Sequence, residues 1–315
     1  MKTIAVTGGV GYVGRELVRQ LVVAHSDAAL HVIDNLDCGE HRLAAMPQDK
    51  FTLHRIDIRD RDAVRTTLAA IAPEIIFHLA AVHFIPFCER DPADAVARNV
   101  AGTVNLLDAA PVGTRFVFAS TAAVYGPEDT AHVEDTSPIR PMDIYGWTKL
   151  QGEQFVRYYH ETGKVSGAIV RLFNVVGSGE TNPHLAPAII EQLDGGNHKV
   201  KLGNLFPHRD YIDVSDAAEG FRRIGAARAA DGSLTLSNLG TGQSHAVGDM
   251  VRSIAEAAAI EIDIEQDASR VRAVDRPMLK ASTAKLETLT GWRPQIPLID
   301  AMRKAWATRK EDRLQ

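Results

Sequence analysis

The sequence predicts an α/β protein built on a doubly wound parallel sheet, with a second, smaller and discontinuous α/β domain. Through the first half of the 315 residues, short apolar runs typical of buried strands alternate with stretches whose apolar residues recur at helical spacing. A glycine-rich turn joins the first of these strands to the first helix. The chain also exceeds the ~250 residues at which a single core tends to divide, so a second domain is expected.

The composition favours a soluble, cytoplasmic protein. Hydrophobic residues make up 45% and charged residues 24% of the chain, which are ordinary values for a globular enzyme. The net charge of -5 gives no general attraction to nucleic acid or to an anionic membrane, and no run approaches the ~20 apolar residues of a membrane span. The two cysteines, Cys38 and Cys88, form no CxxC pair, so neither a disulfide framework nor a metal site is predicted.

The first strand and helix meet at a turn with the sequence TGGVGYVG, residues 7–14. An apolar run precedes it, and apolar residues recur at helical spacing after it. Glycines at such a junction let the turn tighten and let the backbone approach a pyrophosphate, while the helix N-terminus faces the negative charge. The turn therefore predicts a dinucleotide site. The residues predicted to contact the dinucleotide here are Gly8, Gly11, Tyr12 and Val13.

The second strand, Leu30 to Ile33, ends at Asp34, roughly 20 residues beyond the last glycine of the turn. A carboxylate at this point can bind both ribose hydroxyls of NAD and would repel the additional phosphate of NADP. No arginine or lysine follows closely, and Asn35 is the next residue. The sequence therefore predicts NAD as the cofactor.

Four further strands are predicted from apolar runs at 51–54, 75–79, 115–119 and 168–172. They end at Asp57-Ile58, Ala80-Ala81, Ser120-Thr121 and Phe173-Asn174. Because ligands of a doubly wound sheet bind at the carboxyl ends of its strands, these residues are expected along one edge with Asp34. A long helix is predicted from Asp91-Pro92 to Ala110. On this helix, Asn99 either makes a polar contact near the nicotinamide or is an ordinary helix asparagine.

A helix that begins near Asp143 and ends at Thr162-Gly163 carries Tyr145 and Lys149. Residues four apart lie on one face of a helix, so the phenol and the ammonium are expected side by side. A free tyrosine has a pKa near ~10 and is a poor base at neutral pH unless a fixed cation stabilises its phenolate. The pair is a candidate for proton transfer, although the same spacing also occurs on ordinary helix faces.

The alternation of strands and helices ends after Asn174, where loops with glycine and proline surround a helix over 188–193 and a short strand over 200–202. The segment 209–214 is expected to return to the sheet, and 234–237 to form its last strand. We therefore predict a first domain of residues 1–173 plus about 208–240, which binds NAD. The second domain takes residues 174–207 plus about 241–315.

The motifs of the chain resemble those of the extended short-chain dehydrogenases/reductases, in the NAD-dependent nucleotide-sugar epimerase/dehydratase family, which has a Rossmann sheet. The resemblance covers nearly the whole length. It rests on TGGVGYVG, Asp34-Asn35-Leu36, His78-Leu79-Ala80-Ala81, Asn99 with Gly102-Thr103, Ser120-Thr121, Val124-Tyr125-Gly126, Tyr145 with Lys149, Arg171-Leu172-Phe173-Asn174, Arg209-Asp210-Tyr211, Asn238-Leu239-Gly240 and Gly291-Trp292-Arg293-Pro294.

The resemblance implies roles for the individual residues. Tyr145 would be the general base, Lys149 would lower its pKa and hold the ribose, and Thr121 would bond the substrate hydroxyl, with Ser120 as the neighbouring alternative. The cofactor-binding residues, including those at the strand ends, would be Gly8, Gly11, Tyr12, Val13, Asp34, Asn35, Asp57, Ile58, Leu79, Ala80, Ala81, Asn99, Ser120, Tyr145, Lys149 and Phe173. The substrate, a nucleoside-diphosphate sugar, would contact His83, Thr121, Asn174, Arg209 and Arg276.

The favoured activity is inversion of a sugar carbon, commonly C4, through a transient 4-keto sugar. Dehydratases of the family commonly carry acidic residues after the active-site threonine, and Ala122 and Ala123 stand there in this chain, which disfavours a 4,6-dehydratase. Asp34 disfavours a reductase that uses NADP. Family members commonly pair as homodimers through a helix bundle that would include the Tyr145 helix.

Two alternatives stay open. The first is a GDP-linked 4,6-dehydratase or 4-keto reductase, because Leu202-Gly203-Asn204-Leu205 and Thr290-Gly291-Trp292-Arg293-Pro294 resemble the GDP-mannose dehydratase and GDP-deoxymannose reductase branch. The nucleotide could therefore be UDP, GDP or another. The segment from His83 to Glu89 is also less polar than the family's loop beside the sugar. A non-catalytic NAD-sensing protein on the same fold is the second alternative, disfavoured because Tyr145 and Lys149 are both present.

Overall fold

The structure, a computed structural model, describes residues 2–37, 39–180, 182–194, 196, 198–271 and 276–314. Cys38 lies outside these ranges, whereas Cys88 is a buried free thiol. No helix of the described ranges combines the length and the apolar character needed to cross a membrane.

The strands are β1 (Thr3–Thr7), β2 (Ala29–Asp34), β3 (Thr52–Arg55), β4 (Ile75–His78), β5 (Thr114–Thr121), β6 (Val165–Leu172), β7 (Asn174–Val176), β8 (Lys199–Leu202), β9 (His208–Arg209), β10 (Tyr211–Asp213), β11 (Thr235–Leu239), β12 (His245–Ala246), β13 (Asp263–Gln266) and β14 (Met278–Leu279). The helices are α1 (Tyr12–Ala24), α2 (Arg61–Ile71), α3 (Ile85–Arg90), α4 (Pro92–Val96), α5 (Gly102–Ala109), α6 (Ile144–Glu161), α7 (Leu185–Asp194), α8 (Val214–Ala226), α9 (Val247–Ala258), α10 (Ala284–Thr290) and α11 (Leu298–Leu314). Short 3₁₀ segments lie at Glu40–Ala45, Gln48–Lys50, Ala122–Val124 and Ala268–Arg270.

Seven parallel strands form the largest sheet of the described chain, in the order β3-β2-β1-β4-β5-β6-β11. The order of the strands reverses between β1 and β4. This is the predicted doubly wound Rossmann arrangement, in which ligands bind at the carboxyl ends of the strands near that reversal. The predicted fold class is confirmed.

Two helical layers cover this sheet because alternate residues of each strand point to opposite faces. Ile4 and Val6 of β1 belong to one buried cluster with residues of α1, α8 and α10. Ala5, which lies between them, belongs to another cluster with residues of α2, α5 and α6. The strands are therefore apolar on both faces, as expected for a parallel sheet inside an α/β protein.

The long helix predicted from Asp91 forms with one local change. The Asp91 side chain accepts a hydrogen bond from Asp94 N (3.1 Å) and so caps the start of α4. Between α4 and α5 the turns widen into a π-helical segment, Ala97–Ala101, which contains Asn99. Such segments are rare in proteins and frequently occur at functional sites.

A second hydrophobic cluster lies outside the layers of the main sheet. It joins α7, α9 and α11 to β8 through buried residues such as Ile189, Val200, Met250 and Met302. Leu286 of α10, assigned from the sequence to the second domain, packs in the core of the main sheet instead. The exact division into two domains stays a prediction.

The expectation that segment 209–214 returns to the main sheet is wrong. Its strand β10 pairs in parallel with β7, and the two form a separate sheet. The reason is that neighbouring residues of β10 are buried in different cores, Tyr211 in the second cluster and Ile212 in the core of the main sheet. The strand therefore lies between the two cores. The predicted last strand of the main sheet, by contrast, is present as β11.

Helix α6 packs so closely on β5 that a Cβ atom at Gly152 would lie 2.4 Å from Cζ of Phe118. We expect Gly152→Ala to lower the free energy of unfolding by about 1–3 kcal/mol, the usual cost of overpacking, although alanine is the better helix former. Gly248→Ala in α9 is the matched control, because its new Cβ would meet only the flexible Arg252 side chain, at 3.5 Å. Urea unfolding of both variants measures the difference, and equal stability would contradict the tight contact.

Candidate active site

The N-terminus of α6 is held by carboxylates beside the end of β5. Asp143 caps the helix by accepting a hydrogen bond from Gly146 N (2.7 Å), as its sequence position predicts, and Glu89 accepts from Ile144 N (2.8 Å). A Cβ atom at Gly146 would lie 2.7 Å from the carbonyl oxygen of Ala123. The absence of a side chain there lets the helix approach the turn that follows Thr121.

Tyr145 and Thr121 come together at this contact. Burial raises the pKa of Tyr145, and a side-chain hydrogen bond with Thr121 acts in the opposite direction. The Thr121 hydroxyl also accepts a hydrogen bond from Ala123 N (3.1 Å), which fixes its direction. The structure thus places a phenol and a hydroxyl next to each other, an arrangement that can hold one alcohol of a substrate between them.

Lys149 lies one turn further along α6 and is 3% exposed. Its ammonium donates a hydrogen bond to Ala119 O (2.8 Å) and lies 4.9 Å from the centre of the Phe118 ring. Burial lowers the pKa of Lys149 to about 7. The stabilisation of a Tyr145 phenolate by Lys149 stays a prediction.

Ser120, the neighbouring candidate for the role of Thr121, is engaged elsewhere. Its hydroxyl donates a hydrogen bond to Glu153 Oε1 (2.6 Å). Glu153 in turn forms a buried bidentate ion pair with Arg171, with N–O distances of 2.9 and 2.8 Å. Of the two hydroxyl residues, Thr121 is therefore the one that contacts Tyr145, and the cofactor contact predicted for Ser120 stays a prediction.

The ion pair continues into a buried network behind the site. Arg171 donates a hydrogen bond to the Tyr125 hydroxyl (3.0 Å), which donates to Asn238 Oδ1 (2.7 Å). Burial raises the pKa of Tyr125 to about 12, so the phenol stays neutral. The network therefore joins three motifs of the family resemblance, those containing Tyr125, Arg171 and Asn238. Phe173 packs in the same region, with its ring centre 6.5 Å from that of Tyr125, and its predicted cofactor contact stays a prediction.

The glycine-rich turn fits a pyrophosphate. Gly8 adopts a left-handed backbone conformation (φ 69°), and a Cβ at Gly14 would lie 2.0 Å from Gly8 O, so both positions require glycine. Gly11 is the N-cap of α1, and no side chain caps the helix there. The N-terminus of α1, with Val13 in its first turn, therefore presents the positive end of the helix dipole to an anion.

Asp34 has the geometry of a ribose-binding carboxylate. Its Oδ2 accepts a hydrogen bond from Val10 N (3.0 Å) and its Oδ1 accepts from Leu36 N (2.8 Å). Each carboxylate oxygen has further lone pairs with which to accept a hydroxyl donor. These residues fit NAD, whose two adenosine ribose hydroxyls are such donors.

Three further predicted cofactor residues, Asn35, Asp57 and Ile58, follow the carboxyl ends of β2 and β3. Asn35 donates a hydrogen bond to Asp57 (3.2 Å), and hydrogen bonds from Arg59 lower the pKa of Asp57 to about 2. Ile58 is buried, and a Cβ on Gly102 would lie 2.6 Å from its Cδ1. Their direct contacts with the cofactor stay predictions.

The loop after β4 is fixed by Asn99. Leu79 N donates a hydrogen bond to Thr7 O (3.0 Å), and Ala80 follows directly against Gly8. Asn99 accepts from Val82 N (2.9 Å) and donates to Val82 O (2.8 Å) and to the Thr148 hydroxyl (3.0 Å). Both amide hydrogens of Asn99 are thereby used, so it orders the loop containing Ala81 and ties that loop to α6. Its direct contact with the nicotinamide stays a prediction.

The predicted substrate arginines lie together. Arg209 donates a hydrogen bond to the carbonyl oxygen of Arg276 (2.8 Å). The Arg276 guanidinium donates to Ala123 O (3.0 Å) and lies 3.6 Å from Asp143. Asn174 joins the group through its backbone, because its N–H donates to Asp210 O (3.2 Å). Arg276 therefore reaches the turn after Thr121 from the opposite side of the site.

His83 contacts a loop that the sequence analysis did not single out. Its Nε2 lies 3.1 Å from the Asn182 amide nitrogen, and its ring centre lies 5.9 Å from that of His184. His184 also contacts Phe84, with ring centres 5.8 Å apart. The segment before α7 thus meets the loop after β4. The available sequence signal was only that this segment opens the irregular region after Asn174.

The glycine-rich turn at the strand-order reversal fits a dinucleotide, and a tyrosine, a lysine and a threonine lie at the end of β5 in the same sheet. Together these features define an enzyme that transfers hydrogen at an alcohol carbon. Residues 4–240, most of the chain, match the family model described as NAD dependent epimerase/dehydratase family. The chain belongs to this family. The resemblance stated from the motifs and the predicted cofactor class, NAD, are confirmed.

Relatives of known name cover nearly all of the chain. It is 30% identical to a UDP-glucose 4-epimerase of Lacticaseibacillus casei, over 96% of each chain. It is 26% identical to a GDP-6-deoxy-D-mannose reductase of Pseudomonas aeruginosa, over 95% of this chain and 94% of the relative. Among solved structures, a UDP-glucose 4-epimerase from Brucella ovis in complex with NAD has a TM-score of 0.86 at 25% identity, over 98% of each chain.

Thr121 and Ser120 can be separated by substitution. We expect Thr121→Val to lower kcat about 10²-fold or more, because the reacting hydroxyl loses a hydrogen-bond partner next to the base. Ser120→Ala, the control, is expected to lower the free energy of unfolding by about 1 kcal/mol, since Glu153 loses a donor, with a far smaller loss of kcat. Steady-state turnover and urea unfolding measure the two effects. A larger loss of kcat in Ser120→Ala than in Thr121→Val would reverse the assignment.

Proposed function

We propose that this protein is an NAD-dependent nucleotide-sugar epimerase that inverts C4 of the sugar through a transient 4-keto sugar. The observation that carries the proposal is the contact of Tyr145 with Thr121 at the carboxyl end of β5, on the same edge of the main sheet as the glycine-rich turn after β1. The Lacticaseibacillus casei relative and the Brucella ovis structure, both UDP-glucose 4-epimerases by name, support the epimerase activity and favour UDP as the nucleotide.

Thr121, Tyr145 and Lys149 each have a separate role in the proposed reaction. Thr121 orients the sugar hydroxyl, and Tyr145 removes its proton as the carbon is oxidised and returns the proton when the carbon is reduced. Lys149 stabilises the phenolate form of Tyr145. NAD, when bound, supplies the acceptor and donor of the two electrons. Inversion requires the keto sugar to rotate within the site, so that its other face is reduced. The same base then serves both halves of the reaction.

Binding of the nucleoside diphosphate is assigned to the arginines beside the turn after Thr121. Arg209 and Arg276 supply guanidinium groups, which match phosphate oxygens in charge and in bidentate geometry. Asn174 lies beside them, and His83 stands on the loop after β4. The proposed substrate is therefore held by its diphosphate while the sugar extends towards Thr121.

A GDP-linked 4-keto reductase is the second candidate. It is supported by the sequence of segment 202–205 and by the Pseudomonas aeruginosa relative. Against it stands the carboxylate of Asp34, which would repel the additional phosphate of NADP. Dehydration is disfavoured because Ala122 and Ala123, the residues after Thr121, carry only methyl groups. A purely NAD-sensing role is disfavoured by the presence of both Tyr145 and Lys149.

A homodimer is proposed from the outer face of α6. The exposed residues Trp147, Phe155 and Tyr158 recur at helical spacing on the side opposite Tyr145, and Val96 of the adjacent α4 is also exposed. Two copies that pack these faces together would form a four-helix bundle and bury the aromatic rings. The cytoplasmic location stays a prediction.

The proposed activity is tested by incubating the purified protein with UDP-glucose, and in parallel with GDP-mannose, without added cofactor. We expect conversion of UDP-glucose into its C4 isomer, followed by proton NMR, because NAD is regenerated in each turnover. Tyr145→Phe is expected to lower the rate at least about 10²-fold, with the amount of bound NAD unchanged.

No isomer from either sugar, combined with NADPH-dependent reduction of a GDP-4-keto sugar, would favour the reductase instead. Near-normal turnover of Tyr145→Phe would contradict the assignment of the base.

The dimer is tested by Phe155→Asp with Tyr158→Asp in one double variant. We expect sedimentation velocity to show a shift from dimer to monomer, because two buried carboxylates would lack partners in the bundle. Val23→Asp, on the exposed face of α1 and outside the proposed interface, is the control and should stay dimeric. A monomeric wild-type protein, or a dimer that persists in the double variant, would contradict the proposal.

A further inference from the structure

The Asp210 side chain has no exposed surface and accepts four hydrogen bonds. Its Oδ1 accepts from Thr241 N (2.8 Å) and from the Thr241 hydroxyl (2.6 Å). Its Oδ2 accepts from Gly242 N (2.9 Å) and Ala281 N (3.1 Å). Burial raises the pKa of Asp210, and these hydrogen bonds act in the opposite direction. The four hydrogen-bond donors compensate the free-energy cost of burying the carboxylate charge away from water.

The four donors come from separate segments of the chain. Thr241 and Gly242 form the turn that leaves the main sheet after β11, whereas Ala281 follows β14. Asp210 itself lies between β9 and β10. One carboxylate therefore joins three segments that pass between the main sheet and the second hydrophobic cluster.

Two of these segments carry the proposed diphosphate-binding arginines. Arg209 is the residue before Asp210, and Arg276 lies two residues before β14. Strands β9 and β14 pair in parallel, with His208 N donating to Pro277 O (2.8 Å) and Asp210 N donating to Leu279 O (2.8 Å). Each strand has only two residues, so few backbone hydrogen bonds hold them together.

From this geometry we infer that Asp210 is a positioning residue that holds Arg209 and Arg276 at the spacing required by the diphosphate of the substrate. The inference rests on the proposed function. Its physical basis is that two-residue strands have few backbone hydrogen bonds with which to hold their spacing, and that the Asp210 carboxylate joins the segments of β9 and β14 to the turn after β11. The hydrogen-bond partners of the Asp210 carboxylate, Thr241, Gly242 and Ala281, lie outside both the glycine-rich turn and α6.

Asp210→Asn is the test, because it preserves shape and removes one acceptor. The amide oxygen can serve Gly242 N and Ala281 N, but the amide NH₂ then faces Thr241 N, and two donors oppose each other. We expect KM for UDP-glucose, and Kd for UDP measured by calorimetry, to rise about tenfold, the effect of about 1.4 kcal/mol. The value of kcat should change less than about threefold, since that energy is lost from substrate binding and not from the transition state alone. The amount of bound NAD should be unchanged.

Asp216→Ala is the matched control. Asp216 is a buried carboxylate of α8 that accepts from Gln295 N and Ile296 N (2.7 Å each), and none of these three residues belongs to β9 or β14. Its removal leaves two backbone donors without a partner, so the loss of stability is expected to equal or exceed that of Asp210→Asn. KM for UDP-glucose and Kd for UDP should nevertheless stay at wild-type values.

An equal rise of KM in both variants would show a general loss of structure and overturn the inference, as would an unchanged Kd for UDP in Asp210→Asn. The two proposals fail separately. If the wild-type protein binds UDP or GDP without turning over a nucleotide sugar, the epimerase proposal fails, and the Kd values still decide the role of Asp210. Wild-type protein that binds neither nucleotide would overturn the inference about Asp210.

Discussion

Helix α6 lies directly on strand β5 because glycine occupies its closest contact positions, and the candidate active site depends on this packing. A Cβ at Gly146 would meet the backbone of Ala123, and one at Gly152 would meet the Phe118 ring. Tyr145 stands beside the first contact and Lys149 between the two. On the other side, the Asn99 amide ties the same helix to the loop after β4. A helix displaced by the width of a methyl group would separate the phenol from Thr121.

The same packing removes water from Tyr145 and Lys149, the two candidate catalytic side chains of α6, and burial shifts their pKa values in opposite directions. It raises the pKa of Tyr145 and lowers that of Lys149 to about 7, because the charged form of each is the disfavoured one. The Lys149 charge costs folding free energy in full below about pH 7. This cost declines as the pH rises towards 10.5, the ordinary pKa of lysine, because the unfolded chain then binds more protons than the folded one. A phenolate formed next to the ammonium would compensate both penalties at once.

Local patterns in the sequence predicted the main sheet, its glycine turn and the helix that carries Tyr145 and Lys149 one turn apart. These features depend on residues close together in the chain, such as the spacing along α6 and the position of Asp34 after β2. The contacts that the sequence did not predict join residues that are far apart in the chain. Ser120 of β5 donates a hydrogen bond to Glu153 of α6, 33 residues away in the chain, and His83 contacts Asn182, 99 residues away. Strand β10 was misplaced because its two burial environments, one for Tyr211 and one for Ile212, are not visible in its apolar pattern.

The chemistry and the proposed substrate recognition lie on different parts of the chain, and the two meet at one turn. Thr121, Tyr145 and Lys149 belong to the main sheet and its helix α6, whereas the proposed diphosphate contacts stand on short strands outside that sheet. Arg276 bridges them, since its guanidinium donates to Ala123 O and pairs with Asp143 at the cap of α6. On the proposed assignment of Arg209 and Arg276, changes in β9 and β14 would alter substrate binding without displacing Tyr145. An epimerase and a reductase, at 30% and 26% identity, both occur among the relatives, so the activity depends on the residues of the site and not on the shared fold alone.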